Sequence, residues 1–301
     1  MPTVHKPVLL QEVLDGLDLW AGMTVVDGTI NAAGHAYEIG KRLGKEGMII
    51  GIDADPEAIT RARERLGQLP CTCRLFLGNF RHLRMYLEEA GIHQVDAVLL
   101  DLGLSSDQLE TSGRGFTFQK DEPLQMTFAA AGELTAEEMV NNWEEESLAD
   151  VIWGYGGERH SRRIARAIVA ARAQAPLQKS LQLAEIISRA LPAIARRGKI
   201  HPATKTFQAL RMTVNDELGA LRQVLPQAWE ALTDGGRLAV ITFHSLEDRI
   251  VKNFMRERTQ AGTGMLVMKK PVVPARGETR VNPRARSAKL RIIQKTIRGN
   301  E

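Results

Sequence analysis

The chain is poor in cysteine, with two in 301 residues. Two thiols cannot build the disulfide framework of a small secreted domain. Cys71 and Cys73 are expected on one strand, pointing to opposite faces, with no metal or redox role. The sequence also lacks any run near the roughly 18 apolar residues of a membrane span. Its opening, Met1-Pro-Thr-Val-His-Lys6, leads into no long apolar core and no small-residue cleavage site, so no signal peptide is expected. A cytoplasmic compartment fits these absences. What is present is an ordinary globular balance, 44% hydrophobic and 25% charged, which argues against a disordered chain. The length allows about two domains at roughly 150 residues each.

The net charge of +4 is unevenly spread. From Met265 onward, four lysines and six arginines face two glutamates, a net +8 that leaves −4 for residues 1–264. A basic tail on a mildly acidic body points to an anionic partner, or else to a solvated terminus.

The first hundred residues alternate strand and helix. Met23–Asp27, Met48–Asp53, Thr72–Leu77 and Val95–Asp101 read as buried strands, and three of them end in an acid. Asp55-Pro56 suits the start of a helix running to about Leu66. Such repeats imply a parallel sheet with helices on both faces, with ligands bound beyond the carboxyl ends of the strands. From about residue 109 to 200 only helical patterns appear: Leu134–Trp143, Ser147–Trp153, Arg159–Ala173 and Leu181–Ala195. Phe207, Leu210, Val214, Leu218 and Leu221, at helical spacing, then predict one long amphipathic helix. Arg237–Phe243 is expected as a fifth strand, a helix begins near Leu246, residues 259–286 read as a long loop, and Ala288–Thr296 as a final edge strand. The expected division is therefore a sheet domain in two parts, 1–108 and 201–301, holding an all-helical domain, 109–200, for substrate recognition.

An acid ending the first strand, a loop of small residues and an acid ending the second strand form a nucleotide-binding arrangement. The loop, Asp27-Gly-Thr-Ile-Asn-Ala-Ala-Gly-His35, is not GxGxxG. A dinucleotide and S-adenosylmethionine both use such a frame. Three strand-terminal acids and Gly78-Asn79-Phe80 favour S-adenosylmethionine, which has no phosphate to seat on a helix N-terminus.

At this point a family becomes legible. His5-Lys-Pro-Val-Leu-Leu, Gly51-Ile-Asp-Ala-Asp-Pro, Asp101-Leu-Gly-Leu-Ser-Ser-Asp-Gln-Leu109 and Arg114-Gly-Phe-Thr-Phe-Gln-Lys-Asp-Glu-Pro-Leu124 occur in order. They continue with His201-Pro-Ala-Thr-Lys-Thr-Phe-Gln-Ala-Leu-Arg211, Val214-Asn-Asp-Glu-Leu218, the segment Gly235–Arg249, and Asn282-Pro-Arg-Ala-Arg-Ser-Ala-Lys-Leu290. The chain thereby closely resembles the bacterial 16S rRNA cytosine-N4 methyltransferase family of the MraW type. The resemblance implies a Rossmann-like S-adenosylmethionine-dependent methyltransferase sheet with an inserted all-helical domain. It also implies methyl transfer to the N4 amine of a cytidine in the decoding centre of the small ribosomal subunit. Carried over by position, cofactor contacts fall on Ala33, Gly34, His35, Asp53, Phe80, Asp101 and Gln108.

Two departures stand out. The family loop usually reads Asp-Gly-Thr-x-Gly-x-Gly-Gly-His, where this chain has Asn31 and Ala33 at glycine positions. Asparagine tolerates positive φ moderately and alanine poorly. A non-catalytic ribosome-binding relative is the reading these two residues motivate. The family also usually has Pro-Leu-Asp-Met-Arg-Met, where this chain has Gln125 and Thr127, an acid and an arginine lost together.

Cytosine N4 is a poor nucleophile because its lone pair is delocalised, so an acceptor for the amine N–H helps. Asp101 is the expected catalytic acceptor, or else serves the cofactor alone. Arg114, Phe116, Phe118, Phe243 and His244 are candidates to hold a base that has left its stack, with core packing and helix capping as the alternatives. Gln208, Arg211 and Asn215 line one polar helix face, expected at the substrate or site, with a solvated face as the alternative. Arg284, Arg286 and Lys289, with Arg159, Arg162, Arg163 and Arg166 as a second set, are candidate phosphate contacts. The expected partner is 16S rRNA within the small subunit, with no membrane and no metal; monomer and homodimer both stay open.

Overall fold

A computed structural model describes residues 7–129, 134–196 and 200–296. His5 and Lys6 of the first motif and Arg298 of the basic tail lie outside the described residues. In chain order the elements are α1 (Leu10–Leu17), β1 (Thr24–Asp27), α2 (Gly34–Leu43), β2 (Met48–Asp53), α3 (Pro56–Leu66), β3 (Thr72–Leu77), α4 (Leu83–Glu89) and β4 (Val95–Asp101). Seven helices follow: α5 (Ser106–Glu110), α6 (Ala136–Asn142), α7 (Glu145–Gly154), α8 (Ser161–Arg172), α9 (Ser180–Ala190), α10 (Ala193–Arg196) and α11 (Thr204–Val214). The chain ends with α12 (Glu217–Ala231), β5 (Leu232–Thr242), α13 (Ser245–Gln260), β6 (Gly264–Leu266), α14 (Arg276–Val281) and β7 (Lys289–Lys295).

The strands form one seven-stranded sheet in the order β3-β2-β1-β4-β5-β7-β6. The first five pair parallel, while β7 runs antiparallel to β5 and to β6. Side chains alternate between faces with period two. Val25, Ile49, Leu99 and Ile241 thus enter one core with α1, α2 and α3. Val26, Ile50, Leu100 and Val240 enter the other with α4, α12 and α13. The strand order reverses between β1 and β4, so the crevice at their carboxyl ends is the place where such sheets bind ligands. Asp55 caps α3 by accepting the Glu57 N–H at 3.1 Å, with Pro56 at the first helical position.

The chain separates into two compact units, residues 1–103 with 218–301, and residues 104–217. These boundaries differ from those read at 108/109 and 200/201. Phe207, Leu210 and Val214 of α11 are buried in the core of the helical unit. Leu221, by contrast, belongs to the sheet core. The single long helix expected from Phe207 to Leu221 is accordingly broken. Asn215 ends α11, and Asp216 takes φ +43° before α12 begins. The Asn215 side chain accepts from the Phe128 N–H at 2.8 Å and donates to the carbonyls of Met126 and Arg211. A side chain committed to three backbone groups holds the turn against helix continuation.

Other expectations change in the same direct way. Residues 259–286 are not a featureless loop, because they contain β6 and α14. β6 lies outside β7, so β7 is an interior strand. β5 begins at Leu232, and its register with β4 jumps between Val95↔Leu232 and Ala97↔Arg237. The helix expected over Leu181–Ala195 is interrupted at Leu191-Pro192, where proline cannot continue the hydrogen-bond ladder. Cys71 and Cys73 do not point to opposite faces: their Sγ atoms stand 3.8 Å apart, because residues two apart in extended chain share a face. Among the described residues, no helix is long and apolar enough to cross a membrane.

Candidate active site

Three carboxylates gather at the carboxyl ends of β1, β2 and β4. The side chain of Asp27 is buried and accepts the Thr29 N–H at 3.1 Å through Oδ1. Asp53 accepts the Asn31 N–H at 2.8 Å on Oδ2 and the Asp55 N–H at 2.9 Å on Oδ1. The Asp101 backbone N–H donates to the Thr29 hydroxyl. The loop after β1 therefore ties the three strand ends together through its own backbone and one hydroxyl.

That loop adopts the shape glycine usually supplies. Asn31 has φ +48° and Ala33 φ +55°, both left-handed. Asn31 is held by its Nδ2 donating to the Thr29 carbonyl at 3.0 Å, and the Ala33 methyl is fully buried in the core. The cost of the left-handed alanine, about 1 kcal/mol, is thus opposed by burial of its methyl. Gly28 is required for a different reason: a Cβ there would stand 2.6 Å from Cδ2 of Leu100. Gly34 likewise packs on Pro7.

The electrostatics of the three acids are unusual. Burial pushes Asp27 up to about 7, with the Asp53 charge adding to it against the Thr29 hydrogen bonds. Burial pushes Asp53 up to about 6, despite the N–H groups of Asp55 and Asn31. Asp101 is raised well above the usual carboxylate range, first by burial, then by Asp27 and Glu247. The Asp101 side chain is 18% exposed, yet its Oδ1 is enclosed and has no hydrogen-bond partner among the described residues. Its Oδ2 lies 3.5 Å from Nδ1 of buried His35, whose Nε2 stands 2.9 Å from the Val8 carbonyl oxygen.

These residues fit S-adenosylmethionine. The sulfonium and ammonium charges of that molecule relieve the repulsion among carboxylates that burial alone leaves uncompensated. A carboxylate offers about four lone-pair sites, so Asp53 keeps capacity for ribose hydroxyls beyond its two N–H bonds. The orphaned Oδ1 of Asp101 is a further acceptor. A pyrophosphate would add negative charge to the same place, which disfavours a dinucleotide. Phe80 follows β3 in a short 3-10 turn, and its Cβ lies near Gly28.

The sheet unit thus brings together Ala33, Gly34, His35, Asp53, Phe80 and Asp101. Gln108 belongs to the helical unit, where its side chain closes a capping box with Ser105 at the start of α5. Asp27, read from sequence as one of the three strand-terminal acids though given no individual cofactor contact, stands with Asp53 and Asp101. Glu247 was not read: nothing local marks it, and it is buried and accepts the Phe243 and His244 N–H groups.

The residues expected at the substrate are more committed to structure than their types suggest. Phe116 is buried and stacks on Phe128 with ring centroids 5.6 Å apart. Phe118 stacks on His201 at 4.3 Å. Arg114 donates to the Phe128 carbonyl at 2.8 Å. Arg211 forms a bidentate ion pair with Glu217 at 2.7 and 2.9 Å, and Asn215 is the helix stop described above. His244 caps α13, accepting the Glu247 N–H on Nδ1. Lys289 shares Asp248 with Arg291; hydrogen bonds from both, working against partial burial, hold that carboxyl below its usual value. Arg284 and Arg286 are exposed. Gln125 is exposed and the Thr127 hydroxyl donates to the Ala129 carbonyl at 3.2 Å, so the two departures leave no buried charge.

Comparison with known proteins agrees with this geometry. The MraW methylase family matches residues 2–296. A protein of Deinococcus deserti named ribosomal RNA small subunit methyltransferase H is 49% identical over 98% of this chain and 94% of its own length. Proteins of the same name from Heliobacterium mobile and Brevibacillus brevis are 43% and 42% identical, each over 97% of this chain and 98% of theirs. With a helix-flanked sheet, three acids at the carboxyl ends of its strands, a family match over residues 2–296 and these relatives along its length, the chain belongs to the MraW methylase family of S-adenosylmethionine-dependent methyltransferases.

Proposed function

We propose that this enzyme methylates N4 of a cytidine in the decoding centre of 16S rRNA, acting on the small ribosomal subunit in the cytoplasm. Relatives at 42–49% identity named ribosomal RNA small subunit methyltransferase H support the substrate class. The observation that carries the chemistry is the enclosed, unpartnered Oδ1 of Asp101 at the end of β4.

S-adenosylmethionine, when bound, supplies an electrophilic methyl group. The protein's part is to seat it and to place the amine. Asp53 takes ribose hydroxyls; Ala33, Gly34, His35, Phe80 and Gln108 complete the cofactor contacts. Asp101 accepts a hydrogen bond from the N4 amine, which localises the nitrogen lone pair, and takes the proton released on transfer. His35 holds the carboxyl in place from Oδ2, leaving Oδ1 for substrate. Positioning of this kind supplies about 7–11 kcal/mol of a barrier when the reacting atoms are held at attack distance. Arg114, Phe116, Phe118, Arg211, Asn215 and His244 serve the RNA substrate, the first five from the helical unit and His244 from the sheet unit. Arg284, Arg286 and Lys289 meet phosphates.

The test is mass-spectrometric mapping of cytidines in 16S rRNA of subunits lacking the mark, incubated with protein and labelled cofactor. One new N4-methylcytidine in the decoding centre is expected. A folded, cofactor-saturated protein that labels no cytidine there would sink the reading. A protein that binds subunits tightly but no cofactor would instead be the non-catalytic relative.

A further inference from the structure

We infer that the α7–α8 end of the helical unit binds a single-stranded segment of the substrate RNA, an unpaired base stacking on Trp153 and neighbouring phosphates lying on Arg159, Arg162 and Arg163. The inference rests on the rRNA reading proposed above and gives it a second contact surface.

Four observations support it. First, the residues border a cleft of about 470 Å³, lined among others by Asp150, Trp153, Arg159, His160, Arg162 and Arg163. That is within the range of ligand clefts, about 300–1,000 Å³. Second, Trp153 is 60% exposed, while its helix is packed into the core by Leu148, Ala149 and Ile152. Folding does not use this indole face. Third, among the described residues Arg159, Arg162 and Arg163 take part in no ion pair, whereas Arg166 on the same helix reaches Glu145 at 3.5 Å and Arg189 pairs with Glu185. Asp150 is the one carboxylate lining the cleft. Fourth, Glu158, the buried acid just before α8, is taken up by Lys205 at 3.6 Å and by the His160 N–H at 3.0 Å, and the first turn of α8 itself holds no acid.

An exposed aromatic plane among unneutralised arginines is the chemistry of single-stranded nucleic acid binding. The plane takes any base, and the cations take the backbone. Arginine serves better than lysine because its fork meets phosphate oxygens in pairs. Paired, A-form RNA offers no free base face to Trp153, so the occupant is unpaired.

The experiment uses the full-length protein and a fluorescently labelled, unstructured RNA of about a dozen nucleotides. Trp153→Ala is expected to weaken binding about 5- to 150-fold, the equivalent of a lost stacking contact, with Trp153→Phe retaining most of the affinity. Arg162→Ala with Arg163→Ala is expected to lower the slope of log Kd against log salt by about 0.7 for each phosphate contact removed. S-adenosylmethionine affinity by calorimetry and the thermal midpoint stay unchanged in all three, since these side chains are exposed. RNA binding that persists within twofold in Trp153→Ala, or a salt slope unmoved by the arginine changes, overturns the inference while leaving the rRNA reading intact. Wild-type protein that binds cofactor but neither this RNA nor small subunits overturns the rRNA reading, and the inference with it.

Discussion

His35 places Nδ1 3.5 Å from Oδ2 of Asp101 and anchors its other nitrogen 2.9 Å from the Val8 carbonyl oxygen. A neutral imidazole that donates from Nε2 to that carbonyl presents a lone pair at Nδ1. Burial raises the pKa of Asp101, so the cofactor-free protein favours its neutral acid; the sulfonium and ammonium of bound S-adenosylmethionine favour the ionised carboxylate, the form that accepts the amine proton. Asp101→Asn keeps the shape and can donate to Nδ1, but offers the amine no basic oxygen at its proton-accepting step. Methyl transfer under single-turnover conditions is expected to fall by about 10²- to 10⁴-fold, with the melting temperature at pH 8 unchanged or higher. A variant with full activity would remove Asp101 from the chemistry.

Asp27 and Asp53 set a pH dependence of stability. Their folded values of about 7 and about 6 lie above the ordinary carboxylate value of 3.8. The folded state therefore holds more protons than the unfolded one across this window. Stability is greatest below the unfolded value and declines as pH rises through about 4 toward 7. Denaturant titrations at pH 5 and pH 8 are expected to show a larger loss for the wild type than for Asp27→Asn, which cannot ionise. Equal losses would mean that Asp27 is ionised throughout.

The same buried acids couple cofactor binding to protons. Bringing a sulfonium and an ammonium to the strand ends favours the ionised carboxylates. Calorimetry in buffers of different ionisation enthalpy is expected to show proton release on S-adenosylmethionine binding between pH 6 and 7, with affinity rising with pH. Proton uptake in that window would contradict the assignment.

At Ala33, two opposing terms of similar size meet. Replacing it by glycine relieves left-handed strain of about 1 kcal/mol and removes a buried methyl worth about 0.8 kcal/mol. Ala33→Gly is expected to change stability by less than about 1 kcal/mol, and cofactor affinity by a few-fold at most. Ala33→Val, β-branched at positive φ, is expected to lose cofactor binding outright in the same calorimetric assay.

Asn215→Ala strips a helix stop of its three backbone partners, leaving the Phe128 N–H and Met126 carbonyl without that side chain. A loss of about 2–3 kcal/mol in unfolding free energy is expected. Asn215→Asp, which keeps the acceptor for Phe128, should recover part of it.

Much of the sheet unit was legible in sequence because its signals are local. Val95–Asp101 is a short apolar run closed by an acid, and Asp55-Pro56 is a helix start; neither needs a distant partner to be read. The three strand-terminal acids were readable for the same reason. Glu247 was not, because its part depends on reaching the strand end from α13. The substrate residues were legible by type and motif but not by role. Arg211 looks like a free cation until Glu217 is placed against it, and Phe116 looks like a stacking platform until Phe128 covers it.

The sequence by itself determined the strand–helix alternation, the acids at the switch point and the family, because periodicity, caps and motifs are written in neighbouring residues. Tertiary structure alone decided three things. It split the Phe207–Leu221 helix at Asn215, because residues 126–128 offer that side chain better partners than the next helical turn does. It put Asn31 and Ala33 into left-handed backbone, because Asp53 and the core hold the loop there. It moved three carboxyl groups toward neutrality, because desolvation depends on what surrounds a side chain and not on what precedes it in the chain.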